Sequence, residues 1–153
     1  MSSPLARGSV FPLLPQNLCF TDPIQGGLHD GMKIYIAGVV HSSGNRCVCL
    51  YRSRSDIALH FNPCFEETEY VVCNSLEGEN WGTEERKHEM PFVKGQLFKI
   101  EIWVKNNSYM VTVEGKHFVE YKHRIPLSRV DTIAVCGCVD VKEISISANF
   151  MLF

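Results

Sequence analysis

The chain has 153 residues, 45% of them hydrophobic, and a formal net charge of −2, which suits one domain with a sizeable core and excludes a disordered chain. A charge so close to zero provides no basic footprint for nucleic acid or an anionic membrane surface. No stretch approaches the roughly 20 apolar residues of a membrane helix, so membrane insertion is not expected.

The opening Met1-Ser2-Ser3-Pro4-Leu5-Ala6-Arg7 has no basic segment followed by a continuous apolar run, as a signal peptide would, and points to synthesis in the cytosol. Pro4, Pro12, Pro15 and Pro23 predict a loosely held tail over residues 1–10, then an edge strand or extended segment docking on the one domain, residues 11–153.

The first firm strand pattern runs from Met32 to Val40, with Ile34, Ile36 and Gly38 alternating against Lys33, Tyr35 and Ala37. Arg46 to Tyr51 reads as the next strand, and Arg52-Ser53-Arg54-Ser55 as a turn into Asp56 to Phe65. In that segment a period of two puts Ile57, Leu59 and Phe61 on a core face, with Ala58, His60 and Asn62 on the other. The same parity sets Val72 beside Asn74 and, after a turn at Gly78-Glu79-Asn80, Glu84 beside Arg86. Neighbouring strands then bring His60, Asn62, Asn74, Glu84, Arg86 and Trp81 toward a common surface. Strands follow at Leu97 to Lys105, Tyr109 to Glu114, His117 to Tyr121, Thr132 to Cys136 and Val141 to Ile146, with hairpin turns at Asn106-Asn107-Ser108 and Glu114-Gly115-Lys116. No segment of ten or more residues shows a convincing helical period, so the pattern is that of an all-β sandwich.

The seven cysteines, Cys19, Cys47, Cys49, Cys64, Cys73, Cys136 and Cys138, are an odd number that does not close into a disulfide framework. Most read as reduced, buried small hydrophobes. The spacings Cys47-Val48-Cys49 and Cys136-Gly137-Cys138 are shorter than the two to four intervening residues usual between zinc ligands, so no metal site is expected.

The polar set suits a carbohydrate better than catalysis. Sugar hydroxyls both donate and accept, which neutral His and the Asn amides can match, while Glu accepts and Arg donates in a fixed fork. The indole of Trp81 matches the apolar face that an axial hydroxyl leaves on a galactose-like ring. Glu84 and Glu85 fall on opposite faces of a strand and cannot flank one bond, which speaks against a glycosidase, and no enzyme is expected.

These motifs resemble the signature of the galectins, H-x-N-P-R, V-x-N and W-x-x-E-x-R, here His60-Phe61-Asn62-Pro63-Cys64, Val72-Cys73-Asn74 and Trp81-Gly82-Thr83-Glu84-Glu85-Arg86. Segments such as Ile24-Gln25-Gly26-Gly27-Leu28, Pro91-Phe92 and His123-Arg124-Ile125-Pro126 extend the resemblance along nearly the whole chain. It implies a jelly-roll sandwich of two antiparallel sheets, a single carbohydrate-recognition domain over 11–153, and binding of β-galactosides of the lactose and N-acetyllactosamine type without metal, cofactor or catalysis. Partners would be galactose-containing glycans and glycoproteins. The family is made in the cytosol and exported without a signal peptide, and a nuclear pool is compatible with that. Homodimerisation through terminal strands and a tandem two-domain parent are both arrangements the family uses.

By that resemblance His60 and Asn62 would hold the axial 4-hydroxyl of galactose, and Asn74 and Glu84 its 6-hydroxyl. Trp81 would stack on the ring, Glu84 and Arg86 would reach the second sugar, and Arg46 would lie beside the groove as a contact for an extended glycan. Cys64 is the departure, because the family places Arg there. Loss of that fork predicts weakened binding of simple galactosides or a shifted specificity. The alternative reading is a galectin-fold interaction or self-assembly protein with no useful sugar affinity.

Overall fold

The computed structural model describes residues 19–41, 48–52, 56–137 and 139–148. The expected tail over 1–10, Arg46 and Arg54 lie outside these residues, as do the side chains of residues 48–52. The described chain forms twelve strands and one short 3₁₀ turn. In chain order the strands are β1 (Cys19–Pro23), β2 (Lys33–Val40), β3 (Val48–Arg52), β4 (Ile57–Cys64), β5 (Tyr70–Glu77), β6 (Asn80–Trp81), β7 (Glu85–Lys87), β8 (Leu97–Val104), β9 (Ser108–Val113), β10 (Lys116–Lys122), β11 (Val130–Cys136) and β12 (Val139–Ser147). The 3₁₀ turn, Leu127–Arg129, follows Pro126 at its N-cap.

Two antiparallel sheets result: the strand periodicities predict an all-β sandwich, and the family resemblance implies this pair of sheets. Five strands run in the order β10-β9-β8-β2-β12, and seven in the order β1-β11-β3-β4-β5-β6 with β7 pairing on β5. The sequence produces this packing through alternation. In β8, Phe98, Ile100, Ile102 and Val104 are buried while Leu97 and Lys99 are exposed, and in β2 Ile34 and Ile36 are wholly buried. These side chains meet Leu59, Phe61, Val71 and Ile133 of the other sheet in one core cluster. Phe61 sits edge-on to both Phe92 and Phe118, with ring centroids 6.2 and 6.1 Å apart. The β9–β10 hairpin closes through Glu114 (φ 53°) and Gly115 (φ 80°), two left-handed residues of the kind a tight hairpin needs.

One expectation about β4 is corrected. Ile57 does not share the core face of Leu59 and Phe61; it lies in a separate small cluster with Leu76 and Cys136, and Ala58 enters the main core. The cause is a register irregularity between Ile57 and His60, where Ile57 pairs Leu76 but His60 pairs Asn74. An inserted residue of this kind reverses the side-chain parity on one side of it.

Most of the cysteines are expected to be reduced, and the described ones divide between the two states. Cys64 and Cys73 are free, whereas Cys136 is disulfide-bonded, so the reduced state does not extend to that position.

Candidate functional site

From His60 onward β4 keeps its period of two, with Leu59 and Phe61 buried and His60, Asn62 and Cys64 half-buried on the opposite face. The antiparallel register then builds transverse rows. His60 stands opposite Asn74, Asn62 opposite Val72, and Cys64 opposite Tyr70. β7 adds Arg86 to the second row, opposite Val72. Beyond the β5–β6 hairpin, Trp81 is 51% exposed and its indole lies 5.2 Å from the His60 ring at an angle of 57°. An apolar ring face and a line of polar groups therefore share the outer face of the seven-stranded sheet.

Glu84 precedes β7 and is held to Arg86 by two bonds, from Nε and Nη2 to the same carboxylate oxygen, each 2.9 Å. The guanidinium also covers the ring of Tyr70, 4.5 Å from its centroid. With Arg86 half-exposed, this arrangement leaves Glu84 Oε2 and the remaining N–H groups of Arg86 for a ligand. Glu85 points elsewhere and pairs with Arg124 at 2.8 Å. The two adjacent carboxylates thus have separate partners.

Asn74 is 4% exposed and most of its hydrogen-bonding capacity is used within the protein. Its Nδ2 donates to the Gly82 carbonyl at 2.9 Å, and its Oδ1 accepts from the Ser75 amide at 2.8 Å and from Arg124 Nη1 at 2.9 Å. One amide hydrogen is left. Asn62 is the converse case: its Oδ1 is buried and has no hydrogen-bond partner among the described residues. Such an acceptor gains from any donor brought to it, since leaving it unmet costs roughly 1–3 kcal/mol.

Cys64 occupies the end of its row as a small uncharged group. Its Sγ donates weakly to the Asn62 carbonyl over 3.6 Å. Burial raises the thiol pKa above its ordinary value, a hydrogen bond from Tyr70 opposes that rise, and Glu66 adds to it. Arg86 pulls in the lowering direction and Glu84 in the raising one, as smaller contributions. The neutral thiol is the form this setting favours.

Beneath the polar rows a second network ties the sheet to its partner. Ser75 Oγ donates to the Ala58 carbonyl at 2.6 Å, so the 2.6 Å contact with Tyr121 must use the tyrosine proton. Arg124 lies over the Tyr121 ring at 4.9 Å. Sequence reasoning did not assign roles to Tyr70, Ser75, Gly82, Tyr121 or Arg124. Tyr70 alone carried a local signal, because it shares the parity of Val72 and Asn74. Among the described residues no cluster of three or more His, Cys, Asp or Glu could hold a metal ion, and no helix is long and apolar enough to cross a membrane.

Comparison with known proteins agrees with this fold. The model of the galactoside-binding lectin family matches residues 19–146. Human galectin-4 is 40% identical over 138 residues, covering 88% of this chain and 43% of that protein, and mouse galectin-3 is 36% identical over 129 residues, covering 82% and 49%. The chain thus spans less than half the length of these relatives. A solved structure of a double variant of human galectin-16 superposes with a TM-score of 0.77 at 31% identity, covering 84% of this chain and 94% of that one. The chain belongs to the galectins, the family of galactoside-binding lectins.

Proposed function

We propose that the outer face of the seven-stranded sheet binds β-galactoside-containing glycans without catalysis, with His60, Asn62, Asn74, Trp81, Glu84 and Arg86 as the contacting set. The observation that carries this is the convergence of an exposed indole, a histidine and two asparagines on adjacent strands, flanked by a paired Glu84 and Arg86. In this reading Trp81 takes the apolar ring face, and His60 and Asn62 take the axial hydroxyl; Asn62 Oδ1 is an acceptor with no partner among the described residues. The hydroxyl of a hydroxymethyl group would accept from the last N–H of Asn74 and donate to a Glu84 oxygen. Arg46, outside the described residues, enters this reading through the family resemblance, as a contact for longer glycans.

Cys64 sets the strength. A thiol cannot replace a guanidinium fork, and charge-assisted bonds are worth about 1.5–3 kcal/mol, so a simple disaccharide binds roughly tenfold to a hundredfold more weakly than with Arg there. Glu84 keeps Arg86 as its cation. The protein therefore selects larger or multivalent glycans over lactose. Cytosolic synthesis, export without a signal peptide and access to the nucleus belong to this reading, as does pairing of two recognition domains, whether in a homodimer or a tandem chain.

A second reading, an interaction or self-assembly protein without useful sugar affinity, draws support from Asn74, which is 4% exposed and already has three partners. Calorimetric titration of lactose and of an extended galactoside into the native protein and into Cys64→Arg, under reducing conditions, decides between them. The lectin reading expects native binding to the extended ligand and tighter lactose binding by the variant. No binding of either ligand by either protein would favour the second reading.

A further inference from the structure

Arg124 reaches Asn74 from 50 residues away and is the least expected member of the site. We propose that it is a positioning residue for ligand recognition: it locks the Asn74 amide so that this side chain meets a glycan only as a hydrogen-bond donor. The ligand half of this inference rests on the lectin reading above.

An asparagine amide is nearly symmetric in shape, and its oxygen and nitrogen exchange places by a half-turn. Here every neighbour argues for one orientation. The Gly82 carbonyl can only accept and so faces Nδ2, while the Ser75 N–H and Arg124 Nη1 can only donate and so face Oδ1. Reversal would set the amide NH₂ against two donors and its oxygen against a carbonyl. Both lone pairs of Oδ1 are occupied and one of two amide hydrogens is used, which leaves a single N–H. A cation on the oxygen also polarises the amide and makes that N–H a better donor.

Arg124 is itself held on three sides. Its Nη2 bonds Glu85 at 2.8 Å, its Nη1 bonds Asn74 at 2.9 Å, and its guanidinium carbon lies over the Tyr121 ring, 4.9 Å from the centroid. The approach is possible because residue 82 has no side chain: a Cβ there would lie 2.8 Å from Arg124 Nη1 and 3.2 Å from Asn74 Oδ1. Gly82 is needed for this close contact and not for its backbone angles. The consequence is selectivity. The ligand group over Asn74 must accept a hydrogen bond, so a hydroxyl there is read and its deoxy counterpart is rejected.

The test uses the native chain, Arg124→Met, Arg124→Lys and Gly82→Ala, each first checked by circular dichroism for an intact fold. The first readout is the side-chain amide of Asn74 in ¹H–¹⁵N spectra. Two well-separated, slowly exchanging protons are expected in the native chain, collapsing toward one another in Arg124→Met and shifting in Gly82→Ala. The second is the affinity ratio between methyl β-D-galactopyranoside and its 6-deoxy counterpart, expected to be about tenfold natively, to fall toward one in Arg124→Met, and to recover in part in Arg124→Lys. Unchanged Asn74 resonances in Arg124→Met would overturn the proposal. So would equal weakening of both sugars with the ratio preserved, which is what a purely structural role gives. Where the native chain binds only the extended galactoside, the ratio is read on that ligand and its counterpart lacking the galactose 6-hydroxyl; a native chain that binds none of these sugars overturns the ligand half together with the lectin reading, while the Asn74 spectra still decide the lock. Should Arg124→Met fail to fold, Gly82→Ala carries both readouts, since it displaces the guanidinium without removing its charge.

Discussion

The Arg86 guanidinium lies over the Tyr70 ring, 4.5 Å from its centroid, while two of its nitrogens grip one oxygen of Glu84 at 2.9 Å. The ring supports the fork from below and leaves its far side to solvent. A contact of this kind at an exposed site is worth about 0.5–1 kcal/mol. Tyr70→Ala is therefore expected to weaken an extended galactoside roughly two- to fivefold, and Tyr70→Phe to change it little. Titration calorimetry on both variants reads this directly, and equal losses in the two would assign the effect to the hydroxyl instead of the ring.

Ser75 and Tyr121 join the two sheets through a buried pair of oxygens 2.6 Å apart. Ser75→Ala leaves the tyrosine hydroxyl and the Ala58 carbonyl without that partner, at an expected cost of about 1–3 kcal/mol. The double variant Ser75→Ala with Tyr121→Phe removes both polar groups and should lose less than the sum of the single changes. Urea denaturation of the four proteins checks the cycle; strict additivity would show that the contact is not energetically coupled.

The Cys64 thiol is raised chiefly by burial, with Tyr70 opposing. Only the thiolate is nucleophilic, so Cys64 should alkylate more slowly than an unstructured cysteine near neutral pH and catch up as pH rises. Tyr70→Phe removes a lowering influence and should slow the reaction further. Iodoacetamide labelling read by mass spectrometry, with Cys64→Ser as the blank, gives the profile. Faster labelling in Tyr70→Phe would contradict the assigned role of the tyrosine.

Cys73 faces the core, and burial pushes its thiol from 9.0 up to about 12. The folded state then keeps a proton that the unfolded chain releases, so stability from this group is complete below about pH 9 and is lost as pH rises toward 12. Denaturation at about pH 8 and about pH 10.5 should show a steeper fall for the native chain than for Cys73→Ala, even though the cavity in the variant lowers its stability at both. Identical slopes would sink the prediction.

Much of this architecture was legible because burial on one face forces alternation. Leu97 to Lys105 and Met32 to Val40 read as strands from the pattern alone, one residue longer than observed, and the parity of His60 with Asn62, and of Val72 with Asn74, placed them on shared faces before any pairing was known. The exchange of Ile57 for Ala58 was hidden, because a register irregularity depends on the neighbouring strand and leaves no mark in the local pattern. Arg124 and Tyr121 were hidden for a related reason. Their part in the site comes from the closure of two sheets, which brings together groups up to 50 residues apart in sequence.

β7 has three residues and, among the described residues, pairs only with β5, yet it carries Arg86 to the rim of the groove. Its two flanking residues are moored to groups outside its own sheet: Glu85 to Arg124, and Lys87 Nζ to the Phe118 carbonyl of β10 at 2.7 Å. A strand this short would otherwise fray. The entropy of ordering the rim is thus surrendered during folding and not at the moment of binding. A ligand arriving there meets a finished template, and its affinity is not taxed by a closing motion. Discrimination between glycans should accordingly lie in how fast they leave, with arrival rates nearly alike.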